Sequence, residues 1–287
     1  MRQVSYLRVE VNCSIPDDAK FAEVARRWME HGLALFPSLF AELQSGEAHG
    51  MFIDQPRGGR MVSRKFSLSG WEKRLGALKG RPEGLTLAIS NGPDETTMPD
   101  ESSPDTHQDA EITVIDGHIG MPGQVRLVVH AIRTPELMGS DGGECVRSFL
   151  EDCVGDVSID YGDVRLDGNR GHATSLDSAL RRDFIASIQQ SKEFLRGYGW
   201  ITVCPSELVE RVGGTASLEA SKAFADIRVQ RSGDVLLQAT DSPEEFDQDA
   251  LRRVWSALGP VLHPGGPQRR PGHEDDEVIL EDAASLQ

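Results

Sequence analysis

Leu195-Arg-Gly-Tyr-Gly-Trp-Ile-Thr-Val-Cys-Pro-Ser-Glu-Leu-Val-Glu-Arg-Val-Gly-Gly214 is the stretch on which the fold reading turns. Gly197 and Gly199 end whatever precedes it. Trp200–Cys204 is apolar on both faces apart from Thr202, the mark of a strand covered on both sides. Ser206 can cap a short helix carrying Leu208, Val209 and Val212, and Gly213-Gly214 stops it. Asp226–Gln230 and Val235–Thr240 then alternate across Arg231-Ser-Gly-Asp, a hairpin pattern. Ser242-Pro-Glu-Glu predicts a full helix start, with Phe246, Ala250, Val254 and Leu258 as its buried stripe.

Upstream, Thr174-Ser-Leu-Asp has capping-box spacing and predicts the longest helix, to about Arg196, with Leu176, Leu180, Phe184, Ile188 and Leu195 on one stripe. Val4–Val11 alternates as a half-buried strand, Leu7, Val9 and Val11 inward and Tyr6, Arg8 and Glu10 outward. Ser14-Ile-Pro-Asp predicts a helix start, and Phe21, Val24, Ala25, Trp28 and Met29 its core face. Strands at Met51–Asp54 and Arg60–Leu68, a helix opened by Ser69 and a strand at Gly84–Ser90 complete a β-α-β-β-α-β order. Glu111–Asp116, Gln124–Ile132 and Val157–Leu166 read as strands, the last interrupted at Gly162, with a helix at Glu144–Val154. The expected class is α+β, a mixed or mostly antiparallel sheet with helices packed on it.

The net charge of −16 is unevenly placed. Asn91–Ala110 and Glu274–Gln287 carry six acids each and no Lys or Arg, so they hold −12 of it and leave −4 for the remainder. The expected division is an N-terminal lobe at 1–90, an acidic flexible linker at 91–110, a C-terminal lobe at 111–262 and a disordered acidic tail at 263–287. The alternative is one single domain over 1–262. Lacking a basic stripe with interleaved aromatics, the chain is not expected to bind nucleic acid. With no apolar run near the ~20 residues of a membrane span and no apolar leader at its start, no membrane association is expected and the location is expected to be cytoplasmic.

Chemistry-bearing patterns are few. There is no dinucleotide fingerprint, phosphate loop, nucleophile elbow or HExxH. Gly139-Ser-Asp-Gly-Gly reads as a plain turn. The eight histidines are scattered; His118 and His130 could meet across a hairpin, but solvated or core-edge positions account for them better. Asp160, Asp163 and Asp167 miss calcium-loop spacing. Cys13, Cys145, Cys153 and Cys204 make no CxxC pair. Cys145 and Cys153 would lie ~12 Å apart along one helix, too far for a disulfide. Trp200 and Trp255 sit on patterned elements and read as core. No catalytic residue, cofactor or metal is expected, and the partner-binding residues are unknown.

Gly199-Trp-Ile-Thr-Val, then Glu207-Leu-Val-Glu-Arg-Val-Gly-Gly, then Leu218, a two-strand hairpin and a final helix, resembles the C-terminal part of the DUF3396-type bacterial immunity proteins associated with type VI secretion. Members often have Tyr after the Thr, where this chain has Val203, and Leu before Gly-Gly, where it has Val212. The resemblance implies a non-enzymatic cytoplasmic protein that neutralises a nearby-encoded toxin by direct contact. Two other readings stand beside it: a hydrolase-like enzyme with a dispersed active site, and an adaptor of unknown role. Oligomeric state is left open.

Overall fold

The computed structural model describes residues 6–92, 108–117, 121–132, 137, 139, 141–166, 173–269, 271 and 277–286. In chain order its elements are β1 (Tyr6–Ser14), α1 (Asp18–Ala34), α2 (Pro37–Ser45), β2 (His49–Gln55), β3 (Val62–Lys65), α3 (Leu68–Ala77), β4 (Gly84–Ser90), β5 (Asp109–Asp116), β6 (Gln124–Ile132), α4 (Gly142–Val154), β7 (Ile159–Arg165), α5 (Ser175–Leu180), α6 (Phe184–Gln189), β8 (Ile201–Cys204), α7 (Ser206–Arg211), α8 (Gly214–Ser221), β9 (Asp226–Val229), β10 (Val235–Gln238) and α9 (Gln248–Leu258). The class is α+β, and the strands pair antiparallel. The chain divides into two compact units, Ser14–Leu137 and Met1–Cys13 with Met138–Gln287.

The central unit, Ser14–Leu137, holds strands in the order β3-β2-β4-β5-β6. Alternation along β4 and β5 places Leu85, Leu87, Ile89, Ala110, Ile112 and Val114 in its core, against the predicted face of α1: Phe21, Val24, Trp28 and Met29. The Trp28 indole N–H donates to the Val128 carbonyl at 3.3 Å. The cap of α1 is Asp17, whose carboxylate accepts from Lys20 N; Ser14 ends β1 instead. Likewise Ser67, not Ser69, caps α3. The acidic stretch expected as a linker at 91–110 joins β4 to β5, neighbours in this sheet. Its ends are tied by Asn91 N–H to Gln108 O and Gln108 N–H to Asn91 Oδ1. Residues 93–107 lie outside the described residues, and the division between units falls elsewhere in the chain.

The other unit orders its strands β1-β7-β8-β10-β9. Here β1 is buried on both faces rather than half-buried: Arg8, Glu10 and Asn12 are as enclosed as Leu7, Val9 and Val11. They are tolerated because Glu10 accepts from both Arg8 and Asn12. Gly162 does not interrupt β7. It faces Val203, where a Cβ would lie 2.9 Å from a methyl carbon, so the glycine lets β7 and β8 close.

The long helix expected over 174–196 is two short ones. Thr174 forms its capping box with Asp177, but Arg181 takes a left-handed conformation (φ 56°) and Asp183 caps a new helix. The cause is Asp177, which is fully buried and bonded by Arg196 at 3.3 Å. A continuous helix would hold those residues roughly 28 Å apart. The chain must turn back to pair the charge.

Ser242 opens only a short 3-10 turn, and Asp247 caps α9, on which Ala250, Val254 and Leu258 are buried as expected. The tail expected to be disordered at 263–287 is folded over its described part: Val278, Ile279 and Ala283 are buried, Ile279 N–H donates to the Tyr198 hydroxyl at 2.9 Å, and Arg252 meets Glu281 at 2.8 Å. Val278 and Ile279 inside the acidic run supply the burial that its charge obscures.

At the centre of this unit Trp200 is fully buried, its indole N–H donating to Thr240 O at 3.0 Å. Trp200→Ala is expected to cost roughly 3–5 kcal/mol in urea unfolding. A wild-type midpoint would contradict the core assignment.

Candidate functional site

The central unit carries an open groove of about 670 Å3, lined by Pro16, Asp18, Gln55, Arg57, Arg81, Asp116 and neighbouring residues. It forms where several chain ends converge. The 3-10 turn Leu78–Gly80 runs into Arg81, which adopts φ 47°, a left-handed conformation. That strain aims the side chain back across the end of β5, with its guanidinium 4.8 Å from the Phe21 ring. Asp116 closes β5, Asp18 lies in the first turn of α1, and Arg57 projects from the β2–β3 turn.

All five N–H groups of Arg81 find acceptors. Nε and Nη2 donate to the two oxygens of Asp116 at 2.9 Å each, Nη2 also to Ile15 O at 2.6 Å, and Nη1 to Pro16 O at 3.0 Å and Asp18 Oδ1 at 2.9 Å. The Asp116 hydrogen bonds raise the guanidinium above its ordinary pKa. Arg57 donates to the same carboxylate at 2.6 Å, while its own arm stays largely exposed. Glu83 fixes the turn that carries Arg57, accepting from Gly58 N–H at 2.8 Å and from Gln55 at 3.0 Å. The groove is therefore a rigid cationic and anionic lattice, suited to recognising a shape and a charge. None of its side chains is a nucleophile beside a base.

A second polar cluster lies inside the other unit. Arg165 Nε is 2.7 Å from Asp163, and the Tyr161 hydroxyl donates to Asp163 at 2.5 Å. Arg165 also reaches Glu10 at 3.4 Å. Burial pushes the Asp163 carboxyl up to about 6 against the pull of Arg165, and burial raises the Tyr161 hydroxyl well above its usual range. Beside them Asp177 accepts from Ser187 at 2.6 Å and Arg182 at 3.3 Å as well as from Arg196. Apart from Arg182, these groups are sealed from solvent, so they hold the fold together.

The residues weighed in the sequence do not converge. His118 and Asp167 lie outside the described residues. His130 is buried on β6, and Asp160 and Asp163 stand three apart on β7. Trp200 and Trp255 are core. Cys145 is exposed, whereas Cys13, Cys153 and Cys204 are buried thiols, and burial raises those of Cys13 and Cys204. No group of three His, Cys, Asp or Glu among the described residues is placed to hold a metal ion. Sequence reasoning missed Arg57, Arg81, Asp18 and Asp116. The one local signal was the run from Gln55 to Trp71, which holds four cations and no acid.

Asp116→Ala removes the buried partner of Arg81, leaving it the exposed Asp18 carboxylate and two carbonyls, and is expected to cost roughly 3–5 kcal/mol. Arg57→Ala, at an exposed arm, should cost under about 1 kcal/mol, and chemical denaturation of both variants checks the contrast. Asp163 gives a pH signature. Burial holds the folded carboxyl at about 6, above the ordinary 3.8 of an aspartate, so the folded state binds the extra proton between them. Its contribution is complete below the lower value and is lost as pH rises through the upper one. Asp163→Asn should remove a decline on the order of 3 kcal/mol between pH 4 and about 7. Parallel stability–pH curves for wild type and variant would contradict the buried-acid assignment.

No family model matches the chain, and no curated protein matches it. Among solved structures it is similar to the Pseudomonas aeruginosa T6SS protein PA0821, with a TM-score of 0.53 and 12% identity, over 98% of this chain and 81% of that one. At that identity the likeness is one of fold.

Proposed function

We propose that this chain is a non-enzymatic binding protein of the immunity type, related to the DUF3396-type proteins, that neutralises a cognate protein toxin by direct contact in the cytoplasm. The observation that carries the reading is the fold likeness to a T6SS protein across nearly the whole chain. Two features support it. The Trp200 strand, the short helix ended by left-handed Gly213, the hairpin and the closing helix stand in the order that the immunity-type resemblance implies. The groove's charged groups are engaged with one another, so its use lies in presenting a fixed surface.

The test is co-expression in a bacterial host with each candidate toxin encoded beside this gene. Restored growth together with co-purification of the pair is the expected result. If every toxic neighbour kills equally with and without this chain, the reading is wrong.

A further inference from the structure

In a chain of net charge −16, Gln55–Trp71 is exceptional: Arg57, Arg60, Arg64 and Lys65 without one acid. The structure places this run on the β2–β3 hairpin of the central unit. Strand β3 stands at the end of the strand order, with a partner on one side only among the described residues. Its four residues are all exposed, and so are Met51, Met61 and Leu68 around it. Arg60, Arg64 and Lys65 form no ion pair among the described residues.

The register says which backbone groups are open. Phe66 N–H donates to Gly50 O at 2.7 Å, and β3 pairs Lys65 with Met51, Arg64 with Phe52 and Ser63 with Ile53. Antiparallel alternation then turns Arg64 and Val62 toward β2, and leaves the N–H and C=O of Ser63 and Lys65 facing outward. The hairpin is held firmly from behind. Phe52 stacks on Trp71 of α3, and Arg74 lies 4.1 Å over the Phe52 ring while it clasps Asp54 through two hydrogen bonds. The edge is pre-formed, so binding need not order it.

Resting on the binding-protein reading above, we propose that the open edge of β3 is the docking edge for an acidic, extended segment of a protein partner, which adds as a further strand. Its backbone pairs with Ser63 and Lys65, its carboxylates meet Arg60, Arg64 and Lys65, and its apolar side chains cover Met61 and Val62. Charge complementarity selects this occupant. The acidic runs of the chain repel an acidic partner, and this acid-free edge attracts it, which favours its landing here. Cations along an edge can also serve to keep like edges apart. Here they are interleaved with exposed apolar side chains, which a blunted edge avoids. A nucleic acid would leave both the strand backbone and those apolar groups unmatched.

The experiment measures fluorescence anisotropy of a labelled synthetic peptide of alternating Glu and Val, with an alternating Lys and Val peptide and a DNA duplex as comparisons. The wild-type chain is expected to bind the acidic peptide in preference to both. The Arg60→Glu, Arg64→Glu, Lys65→Glu triple variant should weaken it roughly tenfold or more. Ser63→Pro should weaken it as well, because it removes an outward N–H without touching the β2 ladder. Unchanged melting temperatures show that both variants fold. Equal binding of the acidic and basic peptides, stronger binding of the duplex, or no effect of the triple variant overturns the proposal. The two readings fail separately. A toxin still captured and neutralised by the triple variant overturns the edge and leaves the immunity reading intact. Acidic-peptide binding that follows these substitutions, in a chain that neutralises no toxin, upholds the edge alone.

Discussion

A guanidinium withdrawn from water needs a buried carboxylate to offset its charge, and the paths of this chain are bent to supply one. Arg196 is the clearest case. To bring it to Asp177, the segment from Thr174 gives up a regular helix, takes a left-handed residue at Arg181 and restarts at Asp183. Arg81 makes the same demand in the central unit: a strained backbone, two carboxylates and two carbonyls are gathered around one side chain. Such pairs add little net stability over apolar packing, but removing one member leaves a buried charge, so they penalise alternative arrangements.

The two polar centres divide their roles by access to water. The Asp163–Arg165–Glu10 cluster is closed, and its acid responds to pH through stability. The Arg81–Asp116 lattice opens on a groove, where the same pairing holds Arg57 at the surface with its arm exposed. A preorganised surface of this kind suits recognition, because the entropy of fixing its side chains is lost on folding and not on binding.

Much of the fold was legible in the sequence. Apolar runs gave β4 and β8, and helical spacing gave the core faces of α1 and α9, because burial is what such patterns record. What escaped were features set by distant partners. Thr174–Arg196 has helical spacing, but its backbone obeys Asp177. Arg8 and Glu10 look solvent-facing until β7 supplies Arg165 and Asp163. The acidic run near the C-terminus hid Val278 and Ile279. The groove had no motif to announce it, since Arg57, Arg81 and Asp116 are far apart in sequence and meet only through the β2–β3 turn and the end of β5. The basic hairpin was masked by the acidity of the whole, which a sum over the chain reports and a local count does not.

The split composition of one unit orders the events of folding. Strand β1 belongs with residues 138–287, yet Ser14–Leu137 is synthesised between them. At ribosomal speeds the interval from β1 to its partner β7 is roughly ten to thirty seconds. Through that time Leu7, Val9 and Val11 have no β7 beside them, and Glu10 has no Arg165. The central unit, whose residues are contiguous, is free to complete itself first. The nascent chain thus passes through a stage in which β1 is an open, partly apolar edge, and that is the stage at which a chaperone or a second nascent copy would find it.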